Sequence, residues 1–279
     1  MKRIEGKEQL HNPRLHGINR YSLAGKTALI TGASRGIGRA IAVTFAQNGS
    51  NLVLLSRDKD RLQLIQEEIY LQNENINCQI IACDLKESSN LIEELEANFD
   101  KTGPEIFIHS AGNFALDGAY KKNRKIWNDT LAIHLTAAYE LSCYLSQFMI
   151  KKKWGRIVNI SSTSANGEAY ALSYSVAKAG LLGLTQSLAL ELAKYGVTVN
   201  AVCPSWVETE MSLNQLSDLE WCRLNNIAVN DSVEIARLSS PQERILSADE
   251  IAHLTAFLCS EEAQGITGQS IKICGGLSL

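Results

Sequence analysis

No two of the seven cysteines are spaced C-x-x-C, and no histidine stands at ligand spacing from them. This argues against a zinc site or a disulfide framework and reads as reduced, partly buried thiols in a cytoplasmic protein. No metal site is expected. No positively charged leader precedes an apolar run, and no stretch approaches the length of a membrane span. An excess of one charge is also missing: 27 Lys and Arg stand against 30 Asp and Glu, for a formal charge of -3. That balance does not suit a polyanion-binding surface. The basic runs at 121–125 and 151–153 read as solvated helix ends or loops, so no nucleic-acid partner and no membrane partner are expected. Internal repeats and interdomain linkers are absent too.

What is present is a globular composition, 45% hydrophobic and 20% charged over 279 residues, enough for one sizeable core. Residues 1–22 are polar and read as an N-terminal extension. From residue 23 to 279 apolar strands alternate with helical patterns. Strands are expected at 27–31, 51–57, 78–84, 105–112, 155–162, 197–204 and 266–276. Helices are expected at 36–49, 60–75, 91–103, 126–150, 173–195 and 247–263. Asp58 is placed to cap the second helix, and Ser247 or Asp249 the last. Near-continuous apolar strands separated by helices predict an α/β, doubly wound parallel sheet covered on both faces, as a single domain. Residues 206–247 break the rhythm and are long for a connection. They are expected to form a lid over a substrate.

The first strand runs into TGASRGIG. Gly32, Gly36 and Gly38 open the following helix, where glycine lets backbone approach a pyrophosphate and the helix N-terminus stabilises its charge. Ser34 lies in this loop, and Ile37 packs inward. The second strand ends in Ser56-Arg57 rather than in a carboxylate. Arg57 can meet a 2′-phosphate, Ser56 leaves room for it, and Arg35 supplies a second cation, which favours NADP(H) over NAD(H). Asp84, at the end of the third strand, suits either an adenine amino group or a helix cap, with Leu85 beside the ring. Ser110-Ala111-Gly112 ends the fourth strand with residues small enough for close approach.

Tyr174 and Lys178 lie four apart on one predicted helix face, after a strand that ends in Ser161-Ser162. A phenol beside an ammonium can give a proton to a carbonyl oxygen while hydride arrives at carbon, if the phenol pKa is lowered. A serine hydroxyl can bond the same oxygen as charge develops there. Together with a dinucleotide site, this points to hydride transfer at a carbon bearing oxygen.

These motifs resemble the short-chain dehydrogenase/reductase family from about Leu23 to Gly276. TGASRGIG is similar to its TGxxxGxG cofactor motif, SYSVAKAG to its YxxxK element, GRIVNISS to the strand carrying its serine, and ITGQSIKICGG to its C-terminal signature. Nearest in appearance are 3-oxoacyl-carrier-protein reductases. The resemblance implies a seven-stranded, Rossmann-type sheet, a homodimer or homotetramer, and NADP(H)-dependent reduction of a ketone to a secondary alcohol. It implies Tyr174 as acid/base, Lys178 as its perturber and ribose contact, and Ser162 as the carbonyl orienter, with Ser161 the runner-up. Val207 and Thr209 match the stretch at the nicotinamide carboxamide.

Departures are local. His134 stands where the family has an asparagine that bends a helix and holds a water in a proton relay. His109-Ser110 replaces Asn-Asn, Pro204-Ser205 replaces Pro-Gly, and Cys274 replaces an aspartate. The substrate pocket is expected to gather Asn113, Phe114, Tyr170, Trp206, Met211 and Trp221, which suits a partly hydrophobic carbonyl or acyl-thioester substrate, a 3-oxoacyl thioester or a specialised biosynthetic ketone. The alternatives are a non-catalytic nucleotide-binding partner and an epimerase or dehydratase using the same cofactor.

Overall fold

The computed structural model describes residues 21–278 apart from 88–90, 94, 97, 98, 100–102 and 121. Residues 1–20 of the expected extension, and much of the helix expected over 91–103, lie outside the described residues. Seven parallel strands form one sheet in the order β3-β2-β1-β4-β5-β6-β7. They are β1 (Thr27–Thr31), β2 (Asn51–Ser56), β3 (Cys78–Ala82), β4 (Ile106–His109), β5 (Gly155–Ile160), β6 (Val197–Pro204) and β7 (Ser270–Ile273). β7 is shorter than the apolar run that announces it. Gly268, at φ 73, turns the chain into the strand, and Gly275, at φ 58, turns it away.

Both sheet faces are covered, and the strand residues divide between them with a period of two. Ala28 and Ile30 of β1 pack on one side, with Ile41 and Phe45 of α1 (Gly36–Gln47), Leu62 and Ile65 of α2 (Lys59–Gln72) and Ile251 of α9 (Ala248–Cys259). Leu29 points the other way, toward Leu141 and Leu145 of α4 (Ala137–Lys152) and Leu188 and Leu192 of α5 (Leu172–Leu192). Helix starts follow the expected chemistry. The Asp58 carboxylate accepts from Arg61 N at 3.0 Å, and Ser247 forms a reciprocal capping box with Glu250.

The helix expected over 126–150 is present but not uniform. α3 (Arg124–Leu131) passes into a π-turn, Ala132–Thr136, before α4 begins. His134 sits in that turn and is fully buried. Residues 206–247 form three short helices: α6 (Glu210–Leu216), α7 (Leu219–Leu224) and α8 (Ser232–Ser239). They share a small core of Leu216, Trp221, Cys222 and Ala236, and Trp221 meets the Trp206 ring edge-on with centroids 5.9 Å apart. Among the described residues no helix is long and apolar enough to cross a membrane.

The strand order reverses between β1 and β4, which pair from Ala28↔Ile106 to Thr31↔His109. Connections leave this seam in opposite directions, so a crevice opens at the carboxyl ends of the strands. The glycine turn after β1 closes its floor. A Cβ on Gly38 would stand 2.2 Å from the Gly32 carbonyl oxygen, so the helix can approach the strand this closely only without a side chain. Gly38→Ala is therefore expected to lower Tm by roughly 2–10 °C through overpacking and to weaken dinucleotide binding. Thermal scans read beside a nucleotide titration test this, and an unchanged Tm would contradict it.

Candidate active site

One groove runs over the carboxyl ends of β1 to β6. It is lined by Gly32, Ser34–Gly38, Leu55–Arg57, Cys83–Leu85, Ser110–Asn113, Ile160–Ser162, Tyr174, Lys178, Pro204, Ser205, Val207 and Thr209–Ser212. The residues expected from the sequence to bind the cofactor and carry the chemistry all meet here.

At one end the groove is cationic. Ser56 Oγ donates to Ser34 Oγ at 2.8 Å, which ties the end of β2 to the glycine loop. Arg57 is exposed, and its nearest charged partner is Asp84 at 3.9 Å. Asp84 also accepts from Lys86 N at 3.1 Å, so it caps the 3-10 turn at Leu85–Glu87 while its carboxylate lines the groove. Arg35 donates to Glu210 at 2.7 Å. Arg61 donates to the same Glu210 oxygen at 2.9 Å. Glu210, the first residue of α6, thus reaches across the glycine loop, and the two guanidiniums hold its carboxyl down at about 2. Neither Arg61 nor Glu210 stood out in the sequence. The only signals were that Arg61 lies one turn beyond Arg57 and that Glu210 follows Thr209.

The fit to a dinucleotide can be judged from the backbone. Gly32 approaches Ala111 so closely that a Cβ would lie 2.7 Å from Ala111 Cα, and a Cβ on Gly36 would lie 3.2 Å from the Thr209 methyl group. These are floors and walls that side chains would fill. With α1 opening at Gly36 and three arginines nearby, the residues present fit a nicotinamide dinucleotide carrying an extra phosphate.

At the other end the polar groups are buried. Ser161 turns toward α5, its Oγ donating to the Lys178 carbonyl at 2.9 Å. Ser162 turns into the groove and accepts from Ser164 N at 3.1 Å. Of the two serines, Ser162 is therefore the one that faces Tyr174. Burial pushes the Tyr174 phenol up to about 12, with Ser162 acting in the opposite sense and Glu168 adding to the rise. The sequence reading expected Lys178 to lower this pKa. Instead the Lys178 ammonium donates to the Ile160 carbonyl at 2.7 Å and lies 5.4 Å from the centroid of the Tyr174 ring. Burial presses Lys178 itself down to about 7. A charge that titrates near neutrality is a weak lever on a neighbour, and desolvation of the phenol wins.

His134 is held by backbone. Its Nε2 lies 3.0 Å from Asn113 N and 2.9 Å from Asn113 O. Gly112 makes room for it, since a Cβ there would meet the imidazole at 2.4 Å. Its ring stands edge-on to Tyr174, with centroids 5.4 Å apart. Burial and the Lys178 charge hold its pKa well below the usual histidine value, so the imidazole is neutral. The other substituted position behaves alike. Burial pushes His109 down to about 3, and its Nδ1 meets Thr31 Oγ1 at 3.1 Å. Thr31 Oγ1 also accepts from Ser110 N and Ala111 N, so β4 is tied to β1 without the family's asparagines.

The expected pocket residues separate into two groups. Phe114 packs on Tyr174 with centroids 5.6 Å apart, and Asn113 and Met211 line the groove. Trp206 and Trp221 belong instead to the core of the 206–247 segment. Tyr170 pairs with Tyr120 beside a second, shallow groove. Two further groups had no sequence signal. Buried Asp117 accepts from Ser173 N at 3.1 Å and from the Ser173 hydroxyl, clamping the start of α5. Glu168 accepts from Ser164 Oγ at 2.5 Å and from Gln215 Nε2 at 3.2 Å.

A family model described as enoyl-(acyl carrier protein) reductase matches residues 32–278. The 3-oxoacyl-acyl-carrier-protein reductase FabG of Escherichia coli (strain K12) is 34% identical over 255 residues, covering 91% of this chain and 97% of that protein. Among solved structures, L-sorbose reductase from Gluconobacter frateurii, complexed with NADPH and L-sorbose, is similar with a TM-score of 0.83 and 27% identity, covering 93% of this chain and 99% of that one. YwfH, an NADPH-dependent reductase involved in bacilysin biosynthesis, is similar with a TM-score of 0.83 and 26% identity, covering 91% and 98%.

The buried ammonium of Lys178 has a consequence for stability. Its pKa is about 7 in the fold against 10.5 for the free side chain. Between those values the unfolded chain binds more protons, so this group's contribution to stability rises with pH across that window. Its full cost is carried below about pH 7. Lys178→Met should therefore gain Tm relative to the parent as pH falls from about 10 to about 7, with the difference constant below that. Paired melting curves across this range test the prediction, and a pH-independent difference would contradict it.

Proposed function

The chain belongs to the short-chain dehydrogenase/reductase family and is an oxidoreductase of the CH–OH/C=O couple; we propose that it uses NADP(H) to reduce a ketone to a secondary alcohol. The observation that carries this reading is the meeting of Ser162, Tyr174 and Lys178 in one groove with the glycine loop, Arg35 and Arg57, with Arg61 joined to the groove through Glu210. When bound, the cofactor supplies hydride to the carbonyl carbon. Gly32, Gly36 and Gly38 with the α1 N-terminus hold its diphosphate, and the arginines meet its 2′-phosphate. Ser34, Ser56, Asp84 and Leu85 border the adenosine. Ser110–Gly112, Pro204, Ser205, Val207 and Thr209 border the nicotinamide half.

In this reading Tyr174 gives its proton to the carbonyl oxygen. Burial keeps the phenol protonated, as an acid must be before the step. Ser162 binds the same oxygen as charge gathers there. Lys178 contributes its ammonium next to the ribose and the phenolate that forms. His134 serves by holding the Asn113 backbone, which sets Phe114 against Tyr174. The segment at 206–247 acts as a lid whose Met211 joins Phe114 in an apolar wall, and this suits a partly apolar ketone such as a 3-oxoacyl thioester. The exposed apolar side chains Tyr139, Leu172, Val176 and Leu190 on α4 and α5 support a homo-oligomer.

Purified protein should bind NADPH and oxidise it in the presence of a ketone panel that includes a 3-oxoacyl thioester. Tyr174→Phe should lower kcat by about 10²–10⁴-fold with little change in NADPH affinity, and retained turnover would remove Tyr174 as the acid. Arg57→Ala should weaken NADPH by roughly 10–100-fold and leave NADH nearly unchanged. Equal loss of the two would overturn its contact with the 2′-phosphate.

A further inference from the structure

Three arginines and three carboxylates meet at the cationic end of the groove. Arg57 stands 3.9 Å from Asp84, and Arg61 Nε stands 3.3 Å from Asp58. Arg35 Nη1 and Arg61 Nη1 both donate to Glu210 Oε2, at 2.7 and 2.9 Å, and Arg61 Nη2 donates to Oε1 at 3.4 Å. All three guanidinium nitrogens of Arg61 therefore face a carboxylate. Its two-nitrogen fork, the edge that suits a phosphate, is spent on Glu210.

The three carboxylates are not equivalent. Asp58 accepts from Arg61 N at 3.0 Å and caps α2, and Asp84 accepts from Lys86 N at 3.1 Å in the turn after β3. Both are rooted beside the strand ends that form the site. Glu210 comes from across the groove, on the first residue of α6. The capping of that helix falls to Thr209, whose Oγ1 accepts from Ser212 N at 3.3 Å. Glu210 can therefore leave the arginines without uncapping a helix. Its side chain is 43% exposed, beside 52% for Arg35 and 44% for Arg61, and ion pairs this open to water are weak and readily exchanged. The guanidiniums hold its carboxyl at about 2, so it meets them as an anion near neutral pH.

We propose that Glu210 is a specificity-determining residue that stands in for the 2′-phosphate, and that only a cofactor carrying this phosphate takes Arg35 and Arg61 from it. The proposal rests on the NADP(H) reading above. A phosphate monoester brings about two negative charges and three acceptor oxygens, where a carboxylate brings one charge and two oxygens. It satisfies two converging guanidinium forks better than Glu210 does, and so displaces it. NAD(H) carries a hydroxyl in that place. A hydroxyl has no charge to offer in exchange, so the arginines stay with Glu210 and add nothing to the binding of NAD(H). Against weaker anions the same carboxylate is a screen, because each must compete with a partner tethered at high local concentration. Displacement also cuts the link between α6 and the glycine loop, so arrival of the phosphate releases the start of the lid.

The test compares ligands that differ by one phosphate. Dissociation constants are measured for NADPH, NADH, adenosine 2′,5′-bisphosphate and 5′-AMP, with Tm taken on each variant to show that it is folded. Glu210→Gln removes the competitor and should tighten NADPH and the bisphosphate roughly 3–10-fold. NADH and 5′-AMP should bind as they do to the parent. Glu210→Ala should shift the same ligands in the same direction. Arg61→Ala should weaken NADPH and the bisphosphate roughly 10-fold, and adding Glu210→Gln to it should recover much less than Glu210→Gln gains alone, since the contest over Arg61 is gone. Weaker binding of both NADPH and NADH in Glu210→Gln would make the residue a strap across the bound cofactor and overturn the proposal. So would unchanged binding of all four ligands, which would leave an ordinary surface ion pair. A gain that persists in full beside Arg61→Ala would reduce the effect to simple repulsion and also overturn it. A parent that bound the bisphosphate no better than 5′-AMP would remove the NADP(H) reading and this proposal together, whereas failure of the proposal alone leaves that preference in place. None of these measurements needs a ketone or turnover.

Discussion

Everything in this molecule is arranged around the seam where β1 and β4 pair and the strand order turns back on itself. Thr31 marks its end. One hydroxyl there takes the Ser110 and Ala111 amides and meets His109 Nδ1, so the last residues of both strands are locked before either loop departs. From that point β1 runs into the glycine turn and β4 into the Gly112–Phe114 loop. Each loop is confined by a close contact: Gly32 against the Ala111 backbone of the other loop, and Gly112 against the His134 ring. The groove is the space these loops cannot fill.

The chemistry placed there works through desolvation more than through paired charge. Burial raises Tyr174, lowers Lys178 and keeps His109 and His134 uncharged. Both substituted histidines therefore serve as neutral hydrogen-bonding groups, which is why they can stand where asparagines are usual. Full charges are kept at the other end, on exposed arginines and Glu210. The two halves of the groove differ in kind, one gripping anions at the surface and the other handling a proton away from water.

Much of this was legible in the sequence because it is local. The glycine spacing, the Arg57 that follows β2, the Tyr174–Lys178 pair and the strand–helix alternation each depend on residues close in the chain, and each lies where its pattern implied. Less was legible where a contact joins distant segments. The periodicity of 126–150 shows a helix but not the π-turn within it. Glu210 meets Arg35 across 175 positions and Arg61 across 149. Nothing in the composition of either segment signals that meeting. Trp206 and Trp221 read as pocket aromatics, yet a lid of three short helices needs a core of its own, and they supply it. The lowered tyrosine pKa expected from a neighbouring lysine failed for the same reason, because depth of burial is a property of the whole fold.

The π-turn at Ala132–Thr136 also sets a phase. An α-helix advances about 100° per residue, and a π-turn amounts to one residue inserted into that rotation. α3 and α4 are therefore two helices out of step by one position, sharing one axis of sequence. α4 presents Leu141 and Leu145 to the sheet on its own count, and His134, in the turn between the two helices, lines the groove. Removing the extra residue of the turn would let α3 and α4 join as one regular helix, whereas a deletion within α4 itself would rotate the positions beyond it by about 100°. A substitution changes only one side chain and leaves the rotation alone. The π-turn is thus the place where this helix absorbs a residue, while His134 itself is fixed by burial against Gly112 and by the Asn113 backbone.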